Sequence, residues 1–397
     1  TDTNVYLAAN DSNHVFRSVR IKRCFISNWQ GYNDNTHSCY AIDEDGELWS
    51  WGYNGYGQLG TGNTTNYNVP QKIAKASNFN NSEIEAFWTC GESYVMCLAY
   101  TKEKKLYAWG YNNNGQLGIG NTTNQSTPQE VTTVTFDGTG VGEIKKVQML
   151  SRSSSLSAGI LTERGTIYVA GYNNQGHFGN GNTTNLSTWT ILSNGPGNAS
   201  NADCENFWWG GNGDYAQQWV EDSLGNILCA GYNNHYSLGD GSNTTRNGFV
   251  TPKFQLGSDT TRDFKNVKMI SFYPHYNDLS TKILTWDGML YATGDNRYGQ
   301  CGFGWTSTNG TADRDSENQK EHFNNGYFMP MRLPYSMQGK VEDVRGCGYG
   351  NNSDNVYAFW EYKTYDNRYY LNGYGGSYIM GNTNGGQRDI PSPPILG

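Results

Sequence analysis

The sequence predicts an all-β fold, a β-propeller of about seven blades, and three observations predict it. A glycine- and aromatic-rich motif returns along the chain at a period near 60 residues. The composition joins 50 Gly and 14% aromatic residues to only 16% charged residues. Strand-like runs are short, and clusters of Gly, Asn and Asp separate them. Disordered chains share the low hydrophobicity but are poor in aromatics. Here the aromatics suit short strands and the polar bulk suits turns.

Each repeat justifies its elements in the same order. An opening strand is read in Ile84-Glu85-Ala86-Phe87 and again in Ile144-Lys145-Lys146-Val147. A second strand, Cys39-Tyr40-Ala41-Ile42, leads through Asp43-Glu44-Asp45-Gly46 into a third, Leu48-Trp49-Ser50-Trp51. A Gly-containing turn between apolar runs is a hairpin signal, because glycine accepts the positive φ such turns require. The turn recurs as Glu163-Arg164-Gly165, Ser223-Leu224-Gly225-Asn226 and Trp286-Asp287-Gly288. A glycine-rich loop follows the third strand, then a short extended piece such as Val69-Pro70-Gln71-Lys72-Ile73. No stretch shows sustained helical periodicity.

With the first glycine of each loop as marker, the copies fall at Gly52, Gly110, Gly171, Gly231, Gly294 and Gly373. That period is too long for a helical solenoid and fits one four-stranded blade. The expected repeats are 24–83, 84–143, 144–203, 204–265, 266–340 and 341–397, within a single domain of 397 residues. Residues 1–23 form a partial blade, since Val5 to Ile21 reads as the back half of one. A seventh blade shared by the two ends is therefore expected, with six blades as the alternative. The wide last spacing reflects a charged insertion at 305–328.

The run Trp51-Gly52-Tyr53-Asn54, continuing through Gly57-Gln58-Leu59-Gly60 to Gly62-Asn63, resembles the hallmark of the regulator of chromosome condensation repeat. The resemblance covers roughly Phe25 to Gly397 and is strongest in the first two copies. It implies a propeller, usually of seven blades. Some members of that family are nucleotide-exchange factors for a small nuclear GTPase and bind chromatin. Those activities use a protruding wedge and a basic tail, and neither is recognisable here. In physical terms the glycines permit a tight loop and Asn bonds its own backbone. Leu59 and Leu117 are expected to plug between neighbouring blades.

Gly55-Tyr56-Gly57-Gln58-Leu59-Gly60 matches a dinucleotide pattern, but no helix follows to hold a pyrophosphate. There is no nucleophile elbow, zinc-protease motif or phosphate loop. The six His are scattered, and His177 stands at the repeat's Gln position, where a loop role is the simpler reading. Asp43 and Asp45 sit in a hairpin turn, where Asp is expected without calcium. The eight Cys show no zinc-like spacing and read as buried free thiols. Asn-x-Thr sites such as Asn63-Thr64-Thr65 and Asn121-Thr122-Thr123 recur at one loop position, which turn chemistry explains. No catalytic residue, cofactor or metal is assigned. A net charge of −8 without a basic run argues against a nucleic-acid partner. No run approaches the ~20 apolar residues of a membrane span, and no signal peptide is visible.

The turns on one rim are therefore the expected place of function. Those joining the first two strands of each blade carry Trp29, Tyr32, Trp209, Tyr215, Tyr273, His275, Tyr276 and Tyr349 beside Gly, Asn and Asp. Flat aromatic faces beside small polar residues suit sugars or adaptable protein contacts. Taken singly, each ring is better explained by packing under its own turn. Taken together, with the uniform Gly-Tyr-Asn loops and scarce charge, they suggest a virion or extracellular surface module. Such a phage tail or fibre adhesin would contact a host glycan or surface protein, or neighbouring virion or scaffold subunits. The alternative is a soluble intracellular propeller, exchange-factor-like or scaffolding, that binds a small GTPase or another partner protein.

Overall fold

Short strands broken by left-handed turns produce a chain of antiparallel meanders. The computed structural model describes residues 19–27, 36–139, 141–192, 204–211, 213–255, 261–273, 279–296, 301–302, 326–351, 355–374 and 387–392. Among them are six four-stranded sheets, each running in sequence order. The first blade comprises Ile21–Ile26, Ser38–Asp43, Leu48–Gly52 and Tyr67–Ile73. The second comprises Ile84–Cys90, Met96–Thr101, Leu106–Gly110 and Gln125–Glu130. Ile144–Arg152, Ser155–Thr162, Ile167–Gly171 and Leu186–Ile191 make the third. The fourth holds Cys204–Gly210, Gln217–Asp222, Ile227–Gly231 and Arg246–Val250. Val267–Tyr273, Ser280–Thr285, Leu290–Gly294 and Met329–Pro330 make the fifth. The sixth holds Val341–Asn351, Asn355–Thr364, Tyr369–Tyr374 and Gln387–Ser392.

The fold is the all-β propeller that the sequence predicts. Helix is confined, among the described residues, to Lys75–Asn78 and a 3-10 turn at Gly213–Tyr215. The first blade opens at Ile21, ahead of the boundary expected at 24. Residues 1–18, which carry most of the expected partial blade, lie outside the described residues, as does most of the 305–328 insertion.

Second strands are buried on both faces, as in Met96–Thr101 and Ser155–Thr162. They therefore read as continuous small or apolar runs rather than alternating ones. The hairpin to the third strand has a fixed chemistry. Asp43 accepts the backbone N–H of Glu47 at 2.8 Å and the indole N–H of Trp49 at 2.8 Å, while Gly46 takes φ +70°. Asp222 does the same work in the fourth blade, accepting the N–H groups of Leu224 and Asn226. At the strand's other end Gly110 has φ +96°, and a Cβ there would lie 2.3 Å from the Val95 carbonyl oxygen. Only glycine fits that close approach.

Contacts divide the chain into two compact units, Thr1–Asn174 with Thr184–Leu192, and Gln175–Thr183 with Ser193–Gly397. The first contains blades one to three and the second blades four to six. Loop residues 175–183 thus belong with the fourth blade, although they leave from the third. The cysteines at 24, 39, 90, 97, 204, 229 and 301 are free thiols, so Cys90 and Cys97 do not pair.

Candidate binding surfaces

In blades one, two and four the loop after the third strand is built around one buried asparagine. Asn54 donates to the carbonyls of Asn63 and Thr65, both at 3.0 Å, and accepts the Leu59 N–H at 2.9 Å. Asn112 repeats the pattern with Asn121, Thr123 and Leu117. Asn233 repeats it with Ser242, Thr244 and Leu238. The Asn of the Asn-Thr-Thr segment is occupied as well, since Asn63 and Asn121 accept the N–H two residues on, at 2.8 and 2.9 Å. Turn chemistry accounts for those recurrent sites.

The first two loops then dock on the blade that follows them. The Gln58 carbonyl accepts the indole N–H of Trp109 at 2.9 Å, and its amide donates to Ser93 at 3.1 Å. The Gly62 N–H bonds the Ser126 carbonyl at 2.8 Å, and Gly120 bonds Ser187 likewise. Leu59, Leu117, Phe178, Leu238 and Cys301, at one position of the motif, are all fully buried. The plug role expected of Leu59 and Leu117 is what the structure displays. His177 is equally buried, its ring 5.6 Å from that of Trp209, and burial pulls its pKa down to about 3.

Of the rim residues singled out from sequence, Trp209 turns inward. It is 5% exposed and packs on Phe178 and Phe207, because it alternates along its strand with the half-buried Trp208. Tyr215 is half-buried against Tyr232, with ring centroids 4.8 Å apart. Tyr273 and Tyr349 lie at strand positions opposite Ser280 and Tyr357, and their side chains lie outside the description. Trp29, Tyr32, His275 and Tyr276 also lie outside the described residues. At this end of the first unit stands a further cluster, Tyr56, Tyr94 and Tyr111, with centroids 4.8 to 5.2 Å apart. Burial and the neighbouring Tyr94 push the Tyr56 hydroxyl up to about 12.

The opposite end of each blade, the hairpin between second and third strands, holds what sequence reasoning missed. Leu224 is 74% exposed, Trp286 68% and Tyr365 58%, and all three occupy the two free positions of that hairpin in blades four to six. The signal was available: Trp286 and Leu224 precede the turn glycine, where no sheet residue can cover them. In blades one to three the same positions hold Glu44-Asp45, Lys102-Glu103 and Glu163-Arg164.

One buried cation remains. Lys282, 1% exposed, points into the seam between the fifth and sixth blades. Its Nζ donates to the Tyr362 hydroxyl at 2.5 Å and lies 4.6 Å from the Trp360 ring. Burial drives its pKa well below the ordinary lysine value. Among the described residues no three His, Cys, Asp or Glu are grouped to hold a metal ion. None of their helices is long and apolar enough to cross a membrane.

These features define a propeller of repeated four-stranded blades. The family described as regulator of chromosome condensation (RCC1) repeat matches residues 45–98 and 104–149. Over those residues the chain carries this repeat. It is 28% identical over 259 residues to the ultraviolet-B receptor UVR8 of Arabidopsis thaliana, a match covering 65% of this chain and 51% of the receptor. It is 33% identical over 146 residues to the X-linked retinitis pigmentosa GTPase regulator of Canis lupus familiaris, covering 37% of this chain and 13% of the regulator. The chain thus spans about half, or much less, of the relatives it matches. Among solved structures, Prp20p of Saccharomyces cerevisiae is similar over 95% of this chain and 77% of its own, with TM-score 0.56 and 17% identity. Human WBSCR16 is similar over 90% of this chain and 79% of its own, with TM-score 0.55 and 15% identity. At such identities these likenesses speak for the fold.

Proposed function

We propose that this chain is a non-catalytic, protein-binding propeller that docks a small GTPase or another partner protein inside the cell. The observation that carries the reading is the division of labour within each blade. Loops and seams are saturated with internal hydrogen bonds, whereas the hairpin ends expose side chains the fold does not need. Rigid scaffolds that present variable turns are suited to recognition. The named relatives supply the class of partner. One is called a GTPase regulator, and the Prp20p structure is described with its binding to Gsp1p and histones. The virion or phage-fibre reading, with a host glycan as ligand, draws no support from these relatives, all of them proteins of cellular organisms.

The test is binding of the immobilised chain to a panel of purified small GTPases, each in GDP-bound, GTP-analogue-bound and nucleotide-free form. Saturable binding that depends on nucleotide state is the expected result. No binding across the panel, alongside specific retention on a glycan array, would overturn the reading in favour of sugar recognition.

A further inference from the structure

We infer that Cys24 and Cys39 form a redox-active dithiol on the first blade, which exchanges with a low-molecular-weight disulfide and closes into a labile bond across the first two strands. The inference goes beyond the protein-binding reading and does not depend on it.

Strand register puts both sulfurs on one face. Cys24 stands opposite Ala41 and Cys39 opposite Ile26, so the two cysteines are diagonal neighbours in an antiparallel pair. Side chains alternate along a strand. Phe25 and Tyr40 therefore take the other face, where their rings pack on Phe87 of the second blade at centroid distances of 5.0 and 4.9 Å. The thiol face turns away from that core and stays open. Cys24 is exposed, Cys39 is half-buried, and Ile26 on the same face is 61% exposed. Three other thiols are sealed. Cys97 lies 3.2 Å from the Tyr40 hydroxyl, Cys229 3.6 Å from the Leu238 carbonyl and Cys301 3.2 Å from the Asp295 carbonyl, all fully buried. Cys204 is half-buried, but it stands opposite Asp222 rather than beside a second thiol.

Exposure sets the order of the steps. The Cys24 thiolate attacks one sulfur of a small disulfide, whose S–S bond breaks as a mixed disulfide forms on Cys24. The leaving thiolate takes up the proton that Cys24 lost. The Cys39 thiolate then attacks the Cys24 sulfur and expels the second small thiolate, which is protonated in turn. Two protein thiols are oxidised and one disulfide is reduced to two thiols. Burial raises the pKa of both cysteines, and the neighbouring Cys24 raises Cys39 further, which leaves Cys24 the earlier to ionise. Diagonal neighbours on a sheet stand about 7–8 Å apart at Cα, at the outer limit of disulfide reach. The first strand can supply the difference. It ends its sheet, with a strand partner on one side only among the described residues, and its pairing is already irregular between Ile21 and Arg23. A strained and accessible bond is readily reduced, which suits a switch rather than a staple. It would ring residues 24–39, and with them the turn residues Trp29 and Tyr32.

The test is incubation of the intact chain with glutathione disulfide, followed by alkylation of the remaining thiols and mass spectrometry. Chymotryptic cleavage at Phe25, Trp29 and Tyr32 separates the two cysteines. The parent is expected to lose two alkylatable thiols, to yield linked Cys24 and Cys39 peptides, and to recover both thiols in excess reduced glutathione. The Cys39→Ser variant should stop with one glutathione on Cys24. The Cys24→Ser variant should take up glutathione at Cys39 at least tenfold more slowly than the Cys39→Ser variant does at Cys24. A parent that leaves both thiols alkylatable, that keeps glutathione on Cys24 without linking it to Cys39, or that joins two chains through Cys24 overturns the proposal. So does faster uptake at Cys39 than at Cys24.

Discussion

The two ends of a blade obey different rules. At the loop end almost every residue is held: Asn112 bonds two carbonyls and one N–H, Gly118 lies under the Trp189 ring, and Leu117 is sealed in the next blade. At the hairpin end only two positions are held. One is the Asp or Thr whose oxygen accepts turn N–H groups, and the other is the left-handed residue, Gly46, Lys104 or Asn367 among them. The two positions between are left free: in blades one to three both are charged, and in blades four to six one is a large apolar residue beside Ser223, Asp287 or Asp366. Held and free positions are therefore separated along the length of a blade.

Substitutions can widen or collapse this contrast. The largest loss is expected for Leu117→Ala, about 2–5 kcal/mol for an emptied plug site, read as a lower denaturant midpoint. Asn112→Ala should follow at about 1–3 kcal/mol, because it strands a buried N–H and two carbonyls. Its check is a chemical melt together with amide exchange at Leu117. Lys282→Met is expected to act in the opposite direction, stabilising the chain by about 1–4 kcal/mol at pH 7. The sign follows from linkage. A lysine whose pKa is depressed in the folded state contributes stability above its unfolded pKa and loses it as pH falls toward the folded one. Thermal melts from pH 10 to pH 6 should therefore show the parent losing ground that the variant keeps. Glu221 is smaller and opposite in sign. Burial, then Glu205 and Asp222, raise its pKa to about 7. Its contribution is full below the ordinary carboxylate pKa and fades as pH rises through about 7, so Glu221→Gln should flatten the melting profile over that interval. Trp286→Ala should fall within about 0.5 kcal/mol of zero. A large loss there would mean the tip is structural after all.

Much of the fold was legible because the repeat carries its own geometry. Gly110 and Gly46 stand where only glycine is comfortable, and Leu59 is the one aliphatic residue in a polar loop, so burial was readable from its company. The plug position also survives conversion to Phe178 and Cys301, which no simple pattern ties to leucine. The site was less legible. Aromatics in the turns of the rim look alike in sequence, yet Trp209 is drawn inward by strand alternation while Tyr215 stays half out. Lys282 was missed because a lysine inside Ser280–Thr285 reads as the polar half of an alternation. In a strand covered on both faces there is no polar half.

The displaced loop has a consequence for how the chain is made. Leu59 leaves the ribosome with its own blade, but the loop that carries it is closed by Trp109 and Ser126, which follow it by 50 and 67 residues. At about 5–20 residues per second, each plug waits several seconds for its lid. Synthesis thus leaves one sticky end open at every moment, handed forward from blade to blade. A chain cut at the end of any sheet would expose its last plug, as a cut after Glu130 would leave Leu117 without Trp189 of the next blade.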